Sequence, residues 1–175
     1  MFPNTPNLDA IDVALLRILQ EDCKTPLARL GDAVGLSAPA VMKRVRKLEQ
    51  AGVIKGYRAE IDGRAVGLDV TAFVGLSLNY PKDMDAFARL LQTTPGVLEC
   101  HHVTGKWSLL LKVKAPNTAG LEDLISQLRQ VDAVQRTETL VVLSTRKERT
   151  AVPLAHPDLP DDANGGDHDF ALRTH

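Results

Sequence analysis

The chain has 175 residues and a mass of 19.0 kDa; with 44% hydrophobic and 25% charged residues it can bury a real core, as one ordinary domain or two small ones. A formal net charge of −1 excludes a uniformly basic protein, and two cysteines, Cys23 and Cys100, imply no disulfide framework. No apolar run approaches the ~20 residues of a membrane span, and Met1-Phe2-Pro3-Asn4 has neither a basic start nor an apolar signal core, so a soluble, cytoplasmic protein without a membrane partner is expected.

Charge divides the chain into three. Residues 1–62 hold nine Lys or Arg against eight Asp or Glu, residues 63–150 eleven against nine, and residues 151–175 one against five. Within the first segment, residues 37–58 carry Lys43, Arg44, Arg46, Lys47, Lys55 and Arg58 with Glu49 as the lone acid, a local basic patch.

The first segment reads as three helices. Leu8, Ile11, Leu15, Ile18 and Leu19 recur at spacings of three and four and share one face. Thr25-Pro26 reads as an N-cap followed by proline at the first helical position, and Leu27, Leu30 and Val34 form the stripe of a second helix that Gly35 stops. After Leu36 alone, Ser37 reads as the cap of a third helix with Val41, Val45 and Leu48 inward and Gly52 as its stop. Two helices joined by so short a glycine-bearing turn must cross steeply, as in a helix-turn-helix.

On the third helix, Pro39, Lys43, Arg46 and Gln50 fall opposite the apolar stripe, with Met42 and Lys47 on the flanks. Ser37, Ala38, Pro39 and Ala40 make a slender end. A helix that enters the major groove needs a narrow body, cations for phosphates and an Arg able to bridge O6 and N7 of guanine. A charged helix face is ordinarily just solvated; the steep turn, the stop and start signals and the single sign of charge together favour double-stranded DNA as the partner. Ser37, Ala38, Pro39, Met42, Lys43, Arg46, Lys47 and Arg58 are the candidate DNA-binding residues. Residues 53–61 read as an extended strand, with a possible bulge at Gly56 and a turn at Asp62-Gly63, that connects the two domains.

The second segment alternates as strand, helix, strand, strand, helix, strand. Val70–Leu78 is apolar or small on both faces; Pro81 and Asp83 start a helix bearing Met84, Phe87, Leu90 and Leu91; Val97–Thr104 and Trp107–Lys114 form a hairpin around Thr104-Gly105-Lys106; Asn117-Thr118 caps a helix bearing Leu121, Leu124, Ile125 and Leu128; Val134–Leu143 is the last strand. This order is the ferredoxin-like βαββαβ unit, with both helices on one face of the sheet. The other face, on which Phe73 and Val141 are expected, needs a cover, and a second copy of the chain is the expected one. Residues 151–175, with Pro153, Pro157, Pro160 and Gly165-Gly166, read as a disordered acidic tail.

Cys100-His101-His102 places Cys100 and His102 on one strand face and His101 on the other, too few convergent ligands for a metal site. No nucleophile motif, phosphate loop or carboxylate pair stands out, so neither a metal nor a cofactor is expected.

The runs Leu8-Asp9-x-x-Asp12-x-x-Leu15-x-x-x-Leu19, Leu30-x-x-x-Val34-Gly35-Leu36-Ser37 and Val45-x-x-Leu48-Glu49-x-x-Gly52-Val53-Ile54-x-Gly56-Tyr57 together resemble the Lrp/AsnC (feast/famine) transcription regulators over about residues 8–148. The resemblance implies an α+β protein with an N-terminal winged-type helix-turn-helix (1–62), a ferredoxin-like ligand-binding and oligomerisation domain (63–150), and dimers that build tetramers or octamers. It implies a transcription regulator that responds to an amino acid or related metabolite held between subunits near the loop joining the second and third strands. His102, Thr104, Gly105, Lys106, Trp107 and Ser108 are then the candidate effector residues; Trp107 walls that pocket or fills the dimer core. Ser108 stands where the family's Gly-x-x-Asp-x-x-Leu has Asp, so a neutral hydroxyl replaces a carboxylate whose bond to an ammonium is about twice as strong. Some proteins similar to this family decarboxylate a tetrapyrrole and have weakened DNA helices; the intact Lys43, Arg44, Arg46 and Lys47 argue against that enzymatic alternative.

Overall fold

A carboxylate sets where the first helix begins. Asp9 accepts from the Asp12 amide at 2.8 Å and Asp12 reaches back to the Asp9 amide, a capping box that satisfies two orphan donors and opens α1 (Ala10–Glu21). The computed structural model describes residues 7–79 and 84–159, and within these the chain folds as two units: one runs up to Arg58 and resumes from Glu148, the other is Ala59–Lys147.

In the first unit, α1 is followed by α2 (Leu27–Val34) and α3 (Ala38–Gln50). Leu15, Leu30 and Val41, one from each helix, are fully buried together, with Ile11, Ile18, Leu19, Val34, Leu36 and Val45 packed around them. Gly35 ends α2 at φ 69°, a conformation that costs an L side chain about 1–2 kcal/mol, and the chain turns directly into α3. The turn also demands Gly31, because a Cβ there would lie 2.3 Å from the Leu36 carbonyl oxygen. Gly52, at φ 70°, follows the end of α3.

Four expectations fail in this unit. Pro26, not Thr25, occupies the N-cap of α2; the Thr25 hydroxyl instead donates back to the Asp22 carbonyl at 2.8 Å, closing the turn after α1. Ser37 does precede α3, but its side chain makes no capping bond. Residues 53–62 form no strand among the described residues: Gly56 sits at φ 153°, the stretch from Lys55 to Asp62 is exposed, and no neighbouring strand offers a ladder. Finally, residues 151–159 are held against α1. Arg17 donates to the Leu154 carbonyl at 2.6 and 3.2 Å, Gln20 exchanges two hydrogen bonds with the Val152 backbone, and Arg149 pairs with Glu21 at 3.2 Å. The remainder of the expected tail, like the expected helix start at Pro81 and Asp83, lies outside the described residues.

The second unit opens with a 3-10 turn, Arg64–Val66, then β1 (Val70–Leu78), α4 (Met84–Thr93), β2 (Val97–His102), β3 (Leu109–Ala115), α5 (Thr118–Arg129) and β4 (Val134–Val141). The sheet is antiparallel in the order β2-β3-β1-β4. Asn117 caps α5 by accepting from the Gly120 amide at 2.9 Å. Ala72, Val74, Leu76 and Leu78 of β1 and alternate residues of β3 from Leu109 to Ala115 pack against Phe87 of α4 and Leu121, Leu124 and Leu128 of α5, so both helices cover one sheet face.

Register assigns the opposite face. Phe73 sits between Leu140 and Lys112, and Gly75 between Glu138 and Leu110, with His101 beyond Leu110. Leu140 is 46% exposed there. Val141 is opposite Ala72 and so belongs to the helix-bearing face, not to the open one as the alternation suggested. Among the described residues no helix is long and apolar enough to cross a membrane.

Candidate nucleic-acid interface and effector loop

α3 is built from a stripe and its complement. Val41 and Leu48 are buried and Val45 half-buried, which turns Pro39, Met42, Lys43, Arg46, Lys47 and Gln50 outward, all exposed. Ala38 and Ala40 are half-buried and small, so the N-terminal end of α3 stays narrow. Among the described residues, no acid pairs with Lys43, Arg46 or Lys47. Arg58, also exposed, lies in the extended segment after α3.

Arg44 behaves differently. Its guanidinium reaches across to α1 and bonds Asp9 and Asp12, each at 2.7 Å. Asp12 is buried, so this ion pair compensates a charge held away from water. The Asp12 amide, with Arg44 beside it, holds the Asp9 carboxyl below the ordinary carboxylate range; the two aspartates raise the Arg44 pKa in turn. Sequence spacing left the role of Arg44 open; the signal that could have found it was the Asp-x-x-Asp at the start of α1. Glu49, the one acid of the basic stretch, accepts from the Tyr57 hydroxyl at 2.9 Å; partial burial and that bond push the Tyr57 pKa up to about 12. The first contact commits one cation of the basic stretch to α1; the second orients the Glu49 carboxylate toward Tyr57 without neutralising it.

The β2–β3 loop sorts its six candidates into separate places. Gly105 turns at φ 108°, and Thr104 and Lys106 are exposed beside it. Trp107 lies flat across Gly75 on the open sheet face; a Cβ at Gly75 would come within 2.4 Å of the indole, so only glycine admits the ring. The Lys106 ammonium sits 5.8 Å from the indole centroid and pairs with Glu138 of β4, which it holds below the ordinary carboxylate range. His102 is not part of this group: it is opposite Leu109, on the helix-bearing face. Ser108 is committed to the sheet. Its amide donates to the Leu76 carbonyl at 2.8 Å, and its hydroxyl accepts from the Leu78 amide at 3.2 Å, prolonging the β1–β3 ladder. Sequence reasoning missed Glu138, which only strand register brings to the loop. Among the described residues no three His, Cys, Asp or Glu side chains converge as metal ligands.

Comparison with known proteins bears on both sites. Residues 8–49 match the family model described as the AsnC-type helix-turn-helix domain, and residues 71–152 match the Lrp/AsnC ligand binding domain. The leucine-responsive regulatory protein of Rhizobium meliloti is 38% identical over 150 residues, covering 84% of this chain and 96% of that protein. The regulatory protein AsnC of Haemophilus influenzae is 35% identical over 136 residues, covering 77% of this chain and 91% of that one. Among solved structures, a transcriptional regulator of Neisseria meningitidis in complex with L-methionine superposes with a TM-score of 0.80 at 29% identity, over 83% of this chain and 96% of that one.

Proposed function

The chain belongs to the Lrp/AsnC family of transcriptional regulators, and from that premise we propose that α3 is its recognition helix and that the β2–β3 loop receives a small-molecule effector. The observation that carries the DNA reading is the sorting of charge on α3: Arg44 is spent on α1, while Lys43, Arg46 and Lys47 stand exposed along a helix with a slender N-terminal end.

In this reading Lys43 and Arg46 face the groove, and Lys47 and Arg58 reach phosphates. The Ser37 hydroxyl, which caps nothing, is available to a phosphate oxygen at the entry to α3. Met42, 37% exposed, offers an apolar contact to a thymine methyl. Sequence-specific docking by a helix-turn-helix takes two such helices, which fits a dimer formed through the open sheet face around Phe73, Leu110 and Leu140 and assembling further to a tetramer or octamer. The protein acts by binding DNA in the cytoplasm, without catalysis of its own.

For the effector, the Neisseria regulator solved with L-methionine supports an amino acid or related metabolite. Lys106, Trp107 and Glu138 supply a cation, a ring and a carboxylate in one place, while Ser108 has its hydroxyl engaged in the ladder. Selection from a random duplex library tests the main reading. Enrichment of a motif with two-fold symmetry supports it, and recovery of unenriched sequence overturns it. Trp107 fluorescence, titrated with the twenty amino acids, tests the effector reading: a saturable change with one of them supports it, and no spectral change with any of them overturns an amino-acid effector.

A further inference from the structure

The C-terminal segment is part of the DNA-binding unit. Residues 148–159 return to α1 and are held there by Arg17 on the Leu154 carbonyl, by the two-way bond between Gln20 and Val152, and by the Arg149–Glu21 pair. The segment finishes in a turn, with the Leu159 amide on the His156 carbonyl at 3.0 Å and the Asp158 amide on the His156 ring at 3.2 Å. The family's ligand-binding match stops at residue 152, so most of this strap lies beyond it.

The sequence beyond the strap is acidic: residues 160–175 hold Asp161, Asp162, Asp167 and Asp169 against the single Arg173. These aspartates follow Leu159 in the chain and are therefore covalently tethered to the unit that carries Lys43, Arg46 and Lys47. Sixteen residues at full extension reach about 50 Å, whereas the thirteen residues of α3 are about 20 Å long. A segment anchored within that reach meets a cationic face at an effective concentration of order millimolar.

We propose that residues 160–175, anchored on α1 by the strap, compete with DNA for the basic face of α3. Both the tail and a phosphate backbone are drawn to that face by charge, so the competition weakens as salt rises. A tail that must leave before any duplex binds lowers operator and random-duplex affinity by the same factor, so it sets overall affinity and leaves operator preference unchanged. This inference rests on the DNA-binding reading above.

The test compares the full chain with a chain ended after Leu159 and with the full-length variant Asp161→Asn/Asp162→Asn/Asp167→Asn/Asp169→Asn, each titrated on a random-sequence duplex across salt. Both altered proteins are expected to bind about threefold or more tightly than the full chain at about 50 mM salt, and the gain is expected to vanish as salt rises. A third variant, Arg17→Ala/Gln20→Ala, keeps the tail but loosens its anchor and is expected to recover part of the gain. Equal or weaker binding by the truncated and Asp→Asn proteins overturns the proposal while leaving DNA binding intact. Absence of duplex binding by every protein overturns the DNA reading with it. If the anchor variant is not folded by circular dichroism, the other two decide.

Discussion

The guanidinium of Arg44 lies 2.7 Å from the carboxylate of buried Asp12, joining the third helix of the DNA-binding unit to the first. One of four clustered cations is therefore a structural clasp. Removing it strands a buried carboxylate, whereas removing a neighbouring lysine removes only an exposed charge. Arg44→Ala is expected to cost about 1–3 kcal/mol of stability, and Lys43→Ala less than about 0.5 kcal/mol. Thermal melting of the two variants checks this. An unchanged melting temperature for Arg44→Ala, with DNA affinity lost, would assign Arg44 to DNA instead.

The same clasp makes stability depend on acid. The Asp12 amide and Arg44 hold the Asp9 pKa below its unfolded value, so the folded protein favours the carboxylate. This contribution is complete above the unfolded carboxylate pKa of about 3.9 and is lost as pH falls through the lower folded value. Urea unfolding between pH 6 and pH 3, with Asp9→Asn alongside, measures it. The variant is expected to lose less stability over that range; identical pH profiles would remove Asp9 from the account.

Two glycines of the helix-turn-helix are required for different reasons. A methyl group at Gly31 collides with backbone, the Leu36 carbonyl oxygen, while one at Gly35 meets open space and only the strain of its positive φ. Gly35→Ala is expected to cost about 1–2 kcal/mol, and Gly31→Ala more, because the turn itself must move. Chemical denaturation ranks them, and the reverse order would contradict the close approach.

Ser37 caps no amide of α3, so Ser37→Ala is expected to change stability by less than about 0.5 kcal/mol while weakening duplex binding through a lost phosphate contact. A fall of about 1 kcal/mol in stability would restore the capping role that its position suggests.

Much of this was legible in the residues because it is local. Periodicity located the two α-helices and four strands of the ferredoxin-like unit, though not the 3-10 turn at Arg64–Val66, and Gly35, Gly52 and Asn117 act where their types say they should. The features that were not legible depend on partners distant in sequence. Val53–Asp62 has strand-like composition but meets no neighbouring strand. Val141 was given the wrong face because alternation carries a phase that only the pairing with Ala72 resolves. Ser37 and Thr25 are good capping types, yet whether a hydroxyl turns toward the helix depends on geometry that composition does not contain. In the candidate effector loop, Trp107 and Lys106 could be named from the hairpin, but Glu138, three strands across the sheet from β2, could not. Residues 151–159 read as unstructured because Pro153 and Pro157 break any helical or strand period; they are held instead by hydrogen bonds with the Arg17 and Gln20 side chains.

If the outward face of α3 reads duplex DNA, its two kinds of cation must fail in different ways when removed. The most direct measurement is the affinity for a selected operator across salt, for the parent chain, Arg46→Ala and Lys47→Ala. Lys47→Ala is expected to weaken operator and random duplex alike and to lower the salt slope by about 1, while Arg46→Ala is expected to cost about 1–3 kcal/mol on the operator and to relax base preference. Parent-like affinity and parent-like salt slope in both variants would contradict that reading.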